Sequence, residues 1–186
     1  IYTYCNQELQ KKATAMANGE TYKYSDEDMQ MGGSIQSTQD GRIVAVIGGH
    51  NYKSGDLNKA TVKQQPGSSI KPILDYGMAY KYLDWCTGHT VKDEPIEAGI
   101  KNWDNQFHGS MTISKALENS WNIPAYTTFQ EVKKVAGSKN LTEDLESLGI
   151  DMSDQDPDLP DSYAIGGWST GVSPVEMASA YATVAN

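Results

Sequence analysis

Cysteine is scarce in this chain. Its 186 residues contain two, Cys5 and Cys86, far apart and without metal-ligand spacing, so we read both as packing residues. The three histidines, His50, His89 and His108, are scattered, with no acid or cysteine at useful spacing for a metal site or a Ser-His-Asp triad. Basic clusters are missing too. A net charge of −9 and a pI near 4.7 argue against nucleic-acid binding. The longest apolar run, Ile43 to Ile47, is far too short to cross a bilayer. No signal peptide or internal repeat is visible, and the chain starts at Ile1 without a methionine, so a targeting segment can lie outside it.

What is present is enough for one domain with a core, and its punctuation is informative. Leu9, Ala13 and Met16 predict a helix over 6–17, stopped by Gly19. Two strand-like runs, 33–38 and 42–47, flank Asp40-Gly41, a strong hairpin signal. A helix is expected to start at Ser68, burying Ile70, Ile73, Leu74, Met78 and Leu83. Residues 86–111 read as an irregular loop. Short helices are expected at 112–119, 124–136 and 142–148. A last helix follows Ser173, with Pro174 at its first position and Glu176 completing a capping box. Few strands among many helices, with an early hairpin, make the chain α+β.

The run Gln64-Gln65-Pro66-Gly67-Ser68-Ser69-Ile70-Lys71-Pro72 carries the chemistry. Ser-x-x-Lys alone is expected roughly once by chance in a chain this long. The flanks add weight, because Pro66-Gly67 breaks the chain and Pro72 fits only a helix's first turn. A hydroxyl at that position faces unpaired backbone N–H groups, and an amine three residues on shares its helix face. An ordinary lysine, with pKa about 10.4, is neutral in roughly one molecule in 2500 at pH 7. Lys71 can therefore activate Ser68 only if burial or a second cation lowers its pKa. The bland alternative makes Ser68 an N-cap and Lys71 a solvated charge.

Ser120-Trp121-Asn122 lies between two expected helices and can offer a hydroxyl to shuttle a proton and an amide to hold a peptide group. Taken in isolation, ordinary helix capping is the better account of the two residues. Lys53-Ser54-Gly55 and Ser138-Lys139-Asn140 sit in polar loops and read as chance matches. Asp154, Asp156 and Asp158 alternate like a calcium loop. Leu159 and Ile165 occupy the positions that should be Gly and Glu, so a solvated acidic loop is the better account.

Taken together, these segments resemble the transpeptidase domain of class A (bifunctional) penicillin-binding proteins, whose motif set begins with Ser-x-x-Lys followed by a Ser-x-Asn element. The resemblance runs in order through Ile1-Tyr2-Thr3 with Gln7 to Gln10, Asp40 to Gly49, Asn58-Lys59-Ala60-Thr61, Gln65 to Pro72, Ala116-Leu117 with Ser120 to Ala125, and Gly171 to Asn186. It implies a DD-peptidase/β-lactamase-like fold, an antiparallel sheet flanked by helices. Residues 1–186 would be the N-terminal part of one such domain. The family's Lys-Thr/Ser-Gly strand would lie downstream, in a C-terminal segment of the same protein, and this fragment alone is expected to be inactive.

The implied reaction is peptidoglycan cross-linking on D-Ala-D-Ala stem peptides through a serine acyl-enzyme, with β-lactams as inhibitors and no metal or cofactor. By resemblance Ser68 is the nucleophile, Lys71 its base, Ser120 a proton relay and Asn122 a substrate-amide holder. Trp103 resembles a position at the cleft mouth, and Trp121 lies inside the Ser-x-Asn loop. Substrate contact is the functional expectation for both tryptophans, and packing is the alternative. The expected location is the extracytoplasmic face of the bacterial membrane, with the anchor outside this chain. The same residues would also serve a DD-carboxypeptidase, a serine β-lactamase or a β-lactam sensor without turnover.

Overall fold

The structure, a computed structural model, describes residues 3–26 and 28–186; Ile1 and Tyr2, which open the family-like segment, lie outside the described residues. The chain divides into two compact units. The first comprises Ile1–Gln64, Leu148–Asp151 and Val172–Asn186, and the second Gln65–Ser147 and Met152–Gly171.

In the first unit, helix α1 (Gln7–Ala17) starts at Asn6, whose side chain accepts from the amides of Glu8 and Leu9. Strands β1 (Gly33–Gln36) and β2 (Ile43–Ile47) pair antiparallel, with a bulge between Ile35 and Gln36. Alternation along β2 turns Ala45 and Ile47 inward, where Ala13 and Ala17 of α1 meet them. Alanine at three of the four positions lets helix and strand approach closely. Met16, expected in this stripe, is instead 41% exposed.

The outer edge of β2 is covered by α1. Asn6 N–H donates to Val44 O, and the Gln10 amide both donates to Val46 O and accepts from Val46 N–H. A glutamine side chain thus replaces a strand partner, one way of blunting an edge. The closing helix α5 (Pro174–Ala185) has the expected capping box between Ser173 and Glu176. It packs on β1, where Gln36 Nε2 donates to Val175 O.

The second unit opens with a 3-10 turn, Gly67–Ile70, that runs into a π-helical segment, Pro72–Gly77, and then helix α2 (Met78–Tyr82). A Cβ at position 77 would stand 2.8 Å from the Pro72 carbonyl oxygen, so Gly77 lets this wide turn close. Ile70, Ile73, Leu74 and Met78 are buried as expected. Helix α3 (Ile113–Glu118) is also where the spacing put it.

Helix α4 (Asn122–Ser147) consists of two helical stretches joined at a kink, as the two expected helices imply. The kink is at Gly137, whose φ of 76° and ψ of 152° are not helical. Residues 86–111 are more ordered than expected. Strands β3 (Thr90–Asp93) and β4 (Gly109–Thr112) pair antiparallel in perfect register. Each is four residues long and holds a single large apolar residue, Val91 or Met111, so neither carried a strand signal. Tyr76, Val91, Ile113, Ala116, Trp121 and Ala125 form a core beneath them.

The described residues therefore hold helices with two small antiparallel sheets, an α+β chain. Cys5 and Cys86, expected to pack inside, are both exposed free thiols.

Candidate active site

The second unit brings most of the expected site residues together. Ser68 sits exposed on the 3-10 turn, while Lys71, three residues on, is completely buried. Its amine is clasped by the segment that links α3 to α4. Lys71 Nζ lies 2.7 Å from Ser120 O, 2.7 Å from Asn122 Oδ1, 3.2 Å from Ser120 Oγ and 3.4 Å from Trp121 O. A hydrogen bond to the Ser68 hydroxyl, expected from the sequence, is not among these contacts.

Burial lowers the Lys71 pKa to about 8, against a smaller opposing pull from the Asp75 carboxyl. About one amine in ten is then neutral at pH 7. The contacts accommodate either form, since an ammonium can donate to the three acceptor-only oxygens. A neutral amine can donate to the two short oxygen acceptors, and the Ser120 hydroxyl can in turn donate to its lone pair. The arrangement can accept a proton from a hydroxyl and pass it on.

Ser120 reaches this place through a helix ending. Its φ is +54°, a left-handed conformation that is uncommon for serine. Ser120 N–H donates to Leu117 O and Trp121 N–H to Ala116 O, a Schellman closure of α3 with serine where glycine is usual. The next residue but one, Asn122, begins α4. Its Nδ2 donates to Lys101 O, leaving one amide hydrogen for another acceptor.

Three residues without any motif hold this loop. Asn102 is 3% exposed, and its Oδ1 accepts from the amides of Asn122 (2.9 Å) and Ile123 (3.4 Å). It caps α4 from a distant loop. Its Nδ2 is 2.8 Å from both oxygens of the fully buried Asp93 and from Gln106 O. Asp93 also accepts from His108 N–H and lies 2.7 Å from His108 Nδ1. The second ring nitrogen of His108 is 3.1 Å from Asp104 Oδ2. Spacing alone showed none of this, because the partners come from the end of β3 and from scattered positions of the loop between β3 and β4.

Asn102→Ala should cost about 2–4 kcal/mol, since it strips two helix-start amides and leaves a buried carboxylate short of a donor. Thermal or urea unfolding checks this. A loss below about 0.5 kcal/mol would remove Asn102 from the support of the site.

The two tryptophans separate. Trp121 is 7% exposed and belongs to the core, with His108 stacked at 3.8 Å and Trp103 at 5.4 Å between centroids. Its ring is not presented to solvent, although its carbonyl faces Lys71. Trp103 is 69% exposed, and its indole N–H donates to Asn119 O, one residue before Ser120. It thus stands next to the Ser120 loop, with its ring largely open.

The family model described as the penicillin binding protein transpeptidase domain matches residues 10–186. Penicillin-binding protein 1A/1B of Bacillus subtilis (strain 168) is 34% identical over 193 residues, covering 100% of this chain and 20% of that protein. Penicillin-binding protein 1A of Streptococcus pneumoniae (strain ATCC BAA-255 / R6) is 32% identical over 203 residues, covering 100% of this chain and 27% of that protein. Among solved structures, the PonA1 protein of Mycobacterium tuberculosis in complex with penicillin V aligns with a TM-score of 0.80 at 20% identity, over 99% of this chain and 50% of that one. The chain spans about a fifth to a quarter of the length of these curated relatives.

Proposed function

Because the chain belongs to the penicillin-binding-protein transpeptidase family, with that family's fold, we propose that it is part of an enzyme that cross-links peptidoglycan through an acyl-serine. One observation carries the residue assignment. A buried lysine whose pKa burial lowers to about 8, held by Ser120 and Asn122, follows an exposed serine by three residues at the start of a helical segment.

In this reading the Ser68 oxygen attacks the carbonyl between the two D-Ala residues of a stem peptide, and Lys71 takes the hydroxyl proton. The tetrahedral intermediate collapses as the C–N bond breaks. Lys71 returns the proton through the Ser120 hydroxyl to the departing D-Ala amine. The acyl group then passes from Ser68 to the amine of a neighbouring stem. The free Nδ2 hydrogen of Asn122 holds the substrate's peptide carbonyl. Trp103 offers its open face at the cleft mouth, and Trp121 supports it from below. A β-lactam acylates Ser68 in the same way and stalls there.

The proposed partners are stem peptides, β-lactams and a further segment of the same protein bearing Lys-Thr/Ser-Gly. Among the described residues β1 has one strand neighbour only, so its other edge can receive such a strand. The proposed location is the outer face of the bacterial membrane. No helix among the described residues is long and apolar enough to cross it, so the anchor is assigned to another part of the protein.

The test is to treat the complete transpeptidase domain with a fluorescent penicillin and map the adduct by peptide mass spectrometry. We expect a single adduct at Ser68, absent in Ser68→Ala. Labelling at Ser69 or Ser120 would reassign the nucleophile. Residues 1–186 alone should label far more slowly than the complete domain, and equal rates would remove the need for the further segment.

A further inference from the structure

One buried acid has no part in the scheme above. Asp75 follows Lys71 by four residues, within the π-helical segment, so the two side chains share a face. Both residues are fully buried. Neither carboxyl oxygen of Asp75 has a hydrogen-bond partner. Helix α4 packs against this segment, and its buried residues, the polar Tyr126 and Thr128 among them, include no side chain charged at neutral pH. The titratable groups near Asp75 are Lys71 and Tyr76, and the Tyr76 hydroxyl is itself buried without a partner.

A fully buried carboxylate with no donor on either oxygen is among the costliest groups a core can hold. The same carboxyl, protonated, is a small neutral group that costs far less to bury. Desolvation accordingly pushes the Asp75 pKa well up, and the Lys71 charge opposes this only in part. Lys71 has taken its hydrogen bonds elsewhere, from Ser120 and Asn122, so it does not neutralise Asp75 by direct contact.

Resting on the assignment of Lys71 as base, we propose that Asp75 is a positioning residue held un-ionised in the working enzyme, leaving the Lys71 amine without a counter-ion. Were Asp75 an anion, its field would hold the proton on Lys71 and withdraw the base from Ser68. As a neutral acid it fills the space behind the amine and exerts no such hold. In the competent fraction the pair carries one proton, on Asp75, and the neutral Lys71 amine, about one in ten at pH 7, is ready to accept the proton of Ser68.

Infrared spectroscopy reads the proposal directly on the complete domain. Wild-type protein carrying 13C-labelled aspartate should show, at pH 7, an isotope-shifted carbonyl stretch of a protonated carboxyl. That band should be missing from Asp75→Asn. The variant mimics the neutral acid, so its penicillin acylation should stay within about threefold of wild type, with the acid limb of the pH profile unmoved. Absence of the band overturns the proposal. So does a limb displaced by one pH unit or more, downward being the direction expected if a lost anion had been holding the Lys71 proton. Should Asp75→Asn not fold, the labelled wild type still decides by its band.

Failure of the underlying scheme looks different. If Lys71→Ala still acylates, the base assignment falls while the infrared band continues to report the state of Asp75. If acylation needs Lys71 and the band is missing, the Asp75 proposal alone falls.

Discussion

Lys71→Ala in the complete domain is expected to lower penicillin acylation by about 10²–10⁴-fold, the usual worth of a positioned general base. Lys71→Arg should do no better. A guanidinium keeps the positive charge and can still donate to Ser120 and Asn122, but it does not release its proton near neutral pH. The pair of variants therefore separates two roles. A lysine that merely pins the Ser120 loop would be largely replaced by arginine, and a base would not. The wild-type profile supplies the second reading. With the Lys71 pKa lowered to about 8 by burial, the competent neutral amine gains population as pH rises and saturates above that value. Acylation should accordingly fall about tenfold per unit on going below pH 8. A flat profile from pH 6 to 9, or substantial activity in Lys71→Arg, would exclude Lys71 as the base.

The parts of this site that were legible in the sequence are those written in consecutive residues. Ser68 and Lys71 share one turn, and Ser120 and Asn122 share one loop, so short-range spacing and turn punctuation sufficed to single them out. The same holds for the caps of α5 and the β1–β2 hairpin. That the two pairs meet at the Lys71 amine is a tertiary fact, which order along the chain implied only through family resemblance. Asp93, Asn102 and His108 were invisible for a different reason. Each is an ordinary polar residue in a stretch with no periodicity, and each matters because a fold brings its partners from 9 to 20 positions away. The long loop between β3 and β4 looked irregular because its order comes from hydrogen bonds to that acid, not from an apolar face. Asp75 was hidden inside an apolar stripe, where a reading of hydrophobic spacing passes over a single acid. The Lys71–Ser68 bond shows the opposite case, a contact that spacing allows and this structure does not make.

Gly166→Ala should cost penicillin acylation about 100-fold. Gly166 closes the 3-10 turn Asp161–Ile165 in a left-handed conformation, with φ of 84°. A Cβ there would run into the main-chain N, Cα and O of Gly67, the residue before the nucleophile. Main chain cannot swing aside as a side-chain tip does, so either the 161–166 turn or the Gly67–Ser68 peptide must move. Displacing Ser68 by roughly an ångström relative to Lys71 is enough for a hundredfold loss. Left-handed strain adds about 1–2 kcal/mol of destabilisation. The two effects can be told apart with Gly99, whose φ is +67° and whose added Cβ would meet nothing within 4 Å. Gly99→Ala carries the strain without the collision. It should lose about 1 kcal/mol in unfolding experiments and acylate at the wild-type rate. Equal acylation by the two variants would mean that the seat of Ser68 does not depend on the close approach of Gly166. A hundredfold gap between them would place that approach among the features that hold the nucleophile in position.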